Sequence, residues 1–325
     1  MNNIIESPKL GIKGTIESWE IINQDGSIER ACYTPSNNMV LDCGLDMLAN
    51  SSFWNVYNHT MILDYFSIGT GTALPISTDT ILGHETYRST AAYVTWNVDT
   101  ASEIGSDPYY VTRQRGVQTV LGALNGTYTE IGFSPIASAN GALFCKFRLV
   151  DEDGDPVSLA IASNQQLRLK YILTVQLTPA TPTHYDTTIT GIGSFGYTAC
   201  WQNCSVLSNI LNILCHGYYV RSVIRSATYS FSPIGTVVSF SESSGKSIEV
   251  TTEAYVTGSY TRYHNVTYQA IDAVWNNTAL GISSQPYGIS GANGIWVAAF
   301  DPASYIDKPN TYVLTLRFKF SWGRT

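Results

Sequence analysis

Alternation of apolar and polar positions dominates the chain. In "LRLKYILTVQLT" (Leu167 to Thr178) and "TYVLTLRFKFSW" (Thr311 to Trp322), apolar residues recur at every second position. That is the period of a strand with one buried face. Two further segments read as hairpins. "SWEIINQDGSIERACY" sets Asp25-Gly26 between alternating runs, and "FCKFRLVDEDGDPVSLAI" does the same with Asp153-Gly154. Asp-Gly supplies the positive φ that tight hairpin turns require. Helical spacing is expected in only two short places: "DCGLDMLANS", giving a helix near 42–50, and "CSVLSNILNILCH", giving one near 205–215. In the second, Leu207, Ile210, Leu211 and Leu214 line one face and Ser205 stands at the cap position. Such a stripe is expected to face the core. The pattern predicts a mainly β protein, built as antiparallel sandwich or jelly-roll-like sheets with two short helices.

A change of texture falls at "LTPATPTHYDTT" (Leu177 to Thr188), where Pro179 and Pro182 sit among threonines in an extended spacer. It divides the chain into an N-terminal β domain, 1–180, and a second β region, 181–325, which are expected to pack as separate or continuous units. No repeat of solenoid or propeller length is evident.

Composition sharpens this picture. Hydrophobic residues make up 44% of the 325 and charged residues only 13%, with 21 tyrosines and 26 glycines. A sizeable core is therefore available, under a surface of uncharged polar groups. The formal charge of −7 is carried with 18 thinly scattered basic residues. That balance excludes a phosphate-backbone footprint, so no nucleic-acid partner is expected. The N-terminal "MNNIIESPKLGIKG" lacks a basic stretch followed by a long apolar run, and no segment reaches membrane-span length, so neither export nor membrane insertion is expected. The six cysteines are accordingly expected to be reduced and buried.

Four stretches carry candidate chemistry. "YFSIGTGTALPISTDTIL" (Tyr65 to Leu82) places a glycine-rich turn after an apolar strand, as phosphate loops do. It lacks the Lys-Ser/Thr pair and the third glycine, and Pro75 follows where a helix should begin. Its glycines are expected to serve backbone geometry. Asp151, Asp153 and Asp155 open like a calcium loop, but Pro156 takes the glycine position and Ala162 the place of the bidentate glutamate. A solvated turn is expected there. Cys200, Cys204, Cys215 and His216 offer four zinc ligands at a spacing that fits known frameworks poorly, with buried thiols as the alternative. Aromatic residues in "YHNVTYQAIDAVW" (Tyr263 to Trp275) are suited to stacking on sugars, to a β core or to an oligomer interface. Neither a zinc-protease motif nor a nucleophile elbow occurs. Paired carboxylates for glycoside cleavage remain open, because their spacing is set in space.

Taken in order, the landmarks resemble a family of tailed-bacteriophage virion proteins, the tail and tail-fibre proteins. The resemblance runs from "GIKGTIESWEIINQDGSIERACYTPSNNMVLDCGLDMLA" through "YFSIGTGTALPISTDTILGHE", "TYTEIGFS" and "ALFCKFRLVDEDGDPVSLAI" with "QQLRLKYILTVQL", to the closing "SWGR" (Ser321 to Arg324). It spans most of the chain and is weakest from Phe195 to Asn310. It implies a non-enzymatic structural component of the virion, assembled in the host bacterial cytoplasm. Such a component acts through subunit assembly and host attachment, with no cofactor, no catalytic residue and no metal. Implied partners are further copies of the chain, other virion proteins, and a host surface glycan or receptor. Alternatives are a capsid decoration or head-fibre protein, a glycan-binding or glycan-cleaving attachment protein, and a host-encoded sugar-binding sandwich.

Overall fold

The computed structural model describes residues 4–6, 9–50, 52, 54–55, 59–89, 98–101, 107–178, 182–189, 193–201, 239–240, 248–268, 275–277, 279–283, 292–300, 306–308 and 313–325. The chain is mainly β. Among the described residues there is one α-helix, Asp42–Met47, and one short 3-10 turn, Met61–Leu63. The helix expected near 205–215 lies outside the described residues. The chain forms two compact bodies: Ile12–Thr100 with Thr112–Val175 and Arg324–Thr325, and Met1–Gly11 with Ala101–Val111 and Gln176–Gly323. Each body is thus assembled from separate stretches of sequence.

In the first body the strands Tyr109–Gln118, Gln165–Leu177, Leu10–Asn23, Ser36–Val40, Cys145–Arg148, Glu130–Ser134, Tyr65–Gly69 and Glu85–Arg88 join in that order, and Ile28–Cys32 also pairs with Leu10–Asn23. Register sorts their side chains onto two faces. Phe66 lies opposite Phe133, Phe133 opposite Cys145, and Cys145 opposite Val40, while Ile68, Ile131 and Phe147 form the neighbouring row. All seven are at most 3% exposed. Burying each large side chain stabilises the fold by about 1.5–3 kcal/mol. The phenyl ring of Phe133 meets the Tyr171 ring at 4.7 Å, although their strands stand four places apart in the sheet. Four strand spacings cover roughly 19 Å in a flat sheet. The sheet is therefore curled, and its apolar face closes on itself.

The opposite face is polar yet also covered. Ser67, Gly132 and Lys146 form one row and Gly69, Glu130 and Arg148 the next. Over it lie the 70–83 loop, the helix Asp42–Met47 and the segment before Cys145, joined by a small cluster of Leu41, Leu82 and Leu143 with Met39 and Cys43 against it. The first expected hairpin forms at Asp25-Gly26 between Leu10–Asn23 and Ile28–Cys32, whereas at Asp153-Gly154 the chain makes a tight turn closed by the single bridge of Val150 with Pro156, and Leu159–Ile161 pairs instead with Gly126–Tyr128. Gly26 and Gly154 each take φ of 86°. The Asp25 carboxylate accepts from the Ser27 amide and hydroxyl, which holds it below the usual carboxylate range.

In the second body, Thr261–Tyr268 runs antiparallel to Ile248–Thr252 and to Leu314–Arg324, and Ile4–Glu6 lies parallel to Arg317–Lys319. Leu316, Phe318, Phe320 and Trp322 alternate inward, as the period predicts. A separate sheet joins Thr183–Ile189, Gly193–Trp201, Ala292–Phe300 and Ser239–Phe240, with Ala279–Ser283 also on Ala292–Phe300.

Candidate functional site

The glycine turn after Tyr65–Gly69 holds an anion, and the anion belongs to the chain. The carboxylate of Glu130, 1% exposed, accepts from the amides of Gly71 and His84 at 2.8 Å each through Oε1. Its Oε2 accepts from the Gly83 amide at 3.0 Å and lies 3.5 Å from Lys146 Nζ. Lys146 reaches on to Asp79 Oδ2 at 3.0 Å, and Asp79 Oδ2 also accepts from the Ile76 amide. Three amide donors and an ammonium offset the desolvation of a buried carboxylate, which would otherwise cost several kcal/mol.

Backbone carbonyls of the same turn are met from the other side. Gly71 O accepts from the Thr129 hydroxyl at 2.7 Å and from Arg148 Nη1 at 3.2 Å, and Arg148 also donates to Thr129 O. A Cβ on Gly71 would stand 2.3 Å from Glu130 Oε1, and one on Gly69 would stand 2.3 Å from His84 O. Glycine is required here because backbone must approach the carboxylate directly. The Thr70 and Gly71 amides are both taken from within the chain, by His84 O and by the Glu130 carboxylate.

The neighbouring landmarks join the same network. The Asp42 amide donates to Ser77 O and the Ser77 hydroxyl to Asp42 Oδ2. Arg324, the last residue of "SWGR", donates to Val40 O and pairs with Asp42. A Cβ on Gly44 would lie 2.0 Å from Phe144 O, so the "GLD" glycine lets the helix seat against that strand's entry. Sequence reading placed these segments in order along the chain. That Glu130, Lys146, Asp79 and Arg148 interlock with the glycine turn was missed, and the single signal was a glutamate inside the apolar run "TEIGFS".

The other candidate sites resolve differently. Asp151 Oδ1 accepts from the amides of Asp153 and Asp155, so this carboxylate folds its own turn. Among the described residues no group of His, Cys, Asp and Glu is arranged to hold a metal ion. Cys204, Cys215 and His216, with the Cys200 side chain, lie outside the described residues. Cys32 and Cys145 are buried free thiols, Cys43 is half-buried and free, and burial pushes Cys145 up to about 12. Described aromatic residues of the second body are engaged. Arg317 covers the Tyr263 ring at 3.7 Å, Tyr185 stacks on Tyr197 at 5.4 Å, and Tyr255 stacks on Trp322 at 5.7 Å. Arg317 is held in turn by a bidentate pair with Glu253, whose carboxyl lies below its usual range for that reason.

A groove of about 200 Å³ on the first body is floored by Gly116 and rimmed by Ser18, Glu20, Arg168 and Lys170. Its rim charges are matched: Arg168 with Glu20 and Lys170 with Glu17. It is smaller than the roughly 300–1,000 Å³ of ordinary ligand pockets. No helix among the described residues is long and apolar enough to cross a membrane. Comparison with protein-family models, with characterised proteins and with solved structures returns no match.

Proposed function

We propose that the protein is a non-enzymatic structural component of a tailed-phage virion, a tail or tail-fibre protein acting through subunit assembly and host attachment. The observation that carries this reading is the convergence of the family-like landmarks on one internal network. Gly69, Gly71, Asp79, Glu130, Asp42, Gly44 and Arg324 are all consumed in holding backbone to backbone. Residues used in this way serve the frame of the chain. On this reading the curled sheet of the first body is a sandwich or jelly-roll-like frame, and the second body bears the contacts particular to this protein.

The test is fractionation of purified particles from the host strain that carries the gene. The chain is expected to cosediment with intact particles and to stay with tails when heads and tails are separated. Recovery with heads moves it to a capsid position, and absence from intact particles overturns the proposal.

A further inference from the structure

Asp79 is the single charged residue between Thr70 and Gly83, and it is set against a lysine that a second carboxylate also faces. Lys146 Nζ lies 3.0 Å from Asp79 Oδ2 and 3.5 Å from Glu130 Oε2. The lysine side chain is 4% exposed and that of Glu130 1%, whereas Asp79 keeps 25%. An amine, a carboxyl and a buried second carboxylate at these distances are reactants as well as partners.

Each of the three is fixed by the frame. Lys146 stands opposite Gly132 on the neighbouring strand, and Glu130 is two places along that strand, so the two side chains are diagonal neighbours on one face. Asp79 is carried in by its loop, whose backbone is tied by the Asp79 amide to Ile76 O, the Asp42 amide to Ser77 O and the Leu143 amide to Thr80 O. Groups held and aligned in this way react at effective concentrations of about 10⁵ M and above. Lone pairs define the role of Glu130. A carboxylate oxygen has two acceptor sites, and those of Oε1 are filled by the Gly71 and His84 amides. Oε2 takes the Gly83 amide, and its second site faces Lys146. At Asp79 the Ile76 amide donates to Oδ2 and draws electron density from the carboxyl carbon.

We infer that Lys146 and Asp79 join in an intramolecular amide, formed by the folded chain itself. Glu130 Oε2 takes a proton from the Lys146 ammonium. The freed Nζ lone pair bonds to Asp79 Cγ and one Cγ–O bond breaks. The leaving oxygen departs as water with two of the three ammonium protons, the first of them returned by Glu130. One ammonium and one carboxylate become one neutral amide, Glu130 ends as a carboxylate, and nothing is oxidised or reduced. Met39, the register partner of Lys146, packs on the Leu41, Leu82 and Leu143 cluster, which keeps bulk water from the amide, while the exposed edge of Asp79 gives the released water its exit. The Lys170–Glu17 pair, 25 and 35% exposed, has no such cover. The bond staples the 70–83 loop to the sheet and restricts the unfolded chain as a disulfide does. It forms wherever the first body folds, inside a virion or not.

The purified full-length chain, denatured in urea, is expected to weigh about 18 Da, one water, less than its sequence. Proteolytic digestion is expected to yield one branched peptide joining Asp79 to Lys146. Lys146→Arg and Asp79→Ala are each expected to return the full sequence mass and to change the mobility of the chain in denaturing gels. Glu130→Gln, shown by circular dichroism to be folded, is expected to keep the full mass as well. A wild-type chain at full sequence mass overturns the inference. So does a water loss that maps to a succinimide at Asp25-Gly26 or Asp153-Gly154, which has the same mass. A folded Glu130→Gln chain that still carries the branched peptide overturns the proton transfer assigned to Glu130.

Discussion

At the scale of single residues, Glu130 carries the most consequence. Glu130→Gln preserves size but turns an NH2 toward amide donors, leaving buried donors unpaired beside Lys146. The expected loss is about 2–4 kcal/mol, read from urea unfolding midpoints. Gly71→Ala, whose Cβ would fall on the same carboxylate, is expected to cost a similar amount. Cys145 gives a pH test. Its thiol is held protonated to about 12 by burial, whereas the unfolded chain ionises near 9. Its stabilising contribution is therefore present below pH 9 and is lost as pH rises above that. Alkaline unfolding from about pH 9 is expected to be delayed in Cys145→Ala relative to its own neutral-pH stability. Native Cys145 is also expected to resist iodoacetamide, and labelling at the rate of the unfolded chain contradicts this. The sequence made the role of the glycines legible, since "IGTGT" without Lys-Ser/Thr reads as geometry. It did not reveal their partner, because nothing local links Gly71 to a residue 59 positions later.

At the scale of elements, strands and tight turns were the most legible part, because period-two alternation and Asp-Gly turns are local signals. The helix at Asp42–Met47 stands where its pattern placed it. The curl of the sheet was hidden, because it depends on which strands neighbour one another. Gly44→Ala is expected to unseat this helix from Phe144 O, lowering the melting temperature by several degrees for about 1–3 kcal/mol lost. In the second body, Glu253 has a depressed carboxyl because Arg317 hydrogen-bonds it. Its contribution is present above the unfolded carboxyl value and is lost as pH falls through the lower folded value. Glu253→Gln is expected to cost up to about 1 kcal/mol near neutrality, with the difference from wild type vanishing in acid. Thermal melts at stepped pH measure it.

At the scale of the whole molecule, the texture change at Leu177 to Thr188 falls close to Val175, where the sequence leaves the first body. Yet residues Met1–Gly11 and Ala101–Val111 belong to the second body, and Arg324–Thr325 to the first. A 1–180 fragment lacks Arg324 and with it the Asp42 pair, and carries two segments without their cluster. It is expected to be protease-sensitive and poorly folded, and limited proteolysis of the fragment beside the full chain decides the matter. Such interleaving was invisible in composition, which reports texture along the chain and not which stretches meet.

The seat that Glu130 fills also sets a clock. The Gly69 to Gly71 turn precedes its acceptor by about sixty residues, so during synthesis the turn waits for a strand not yet made. The apolar loop it braces takes its final shape only after Glu130–Ser134 has paired with Tyr65–Gly69. A chain still emerging therefore cannot finish this turn, and the first body is completed only after residue 130 has been made.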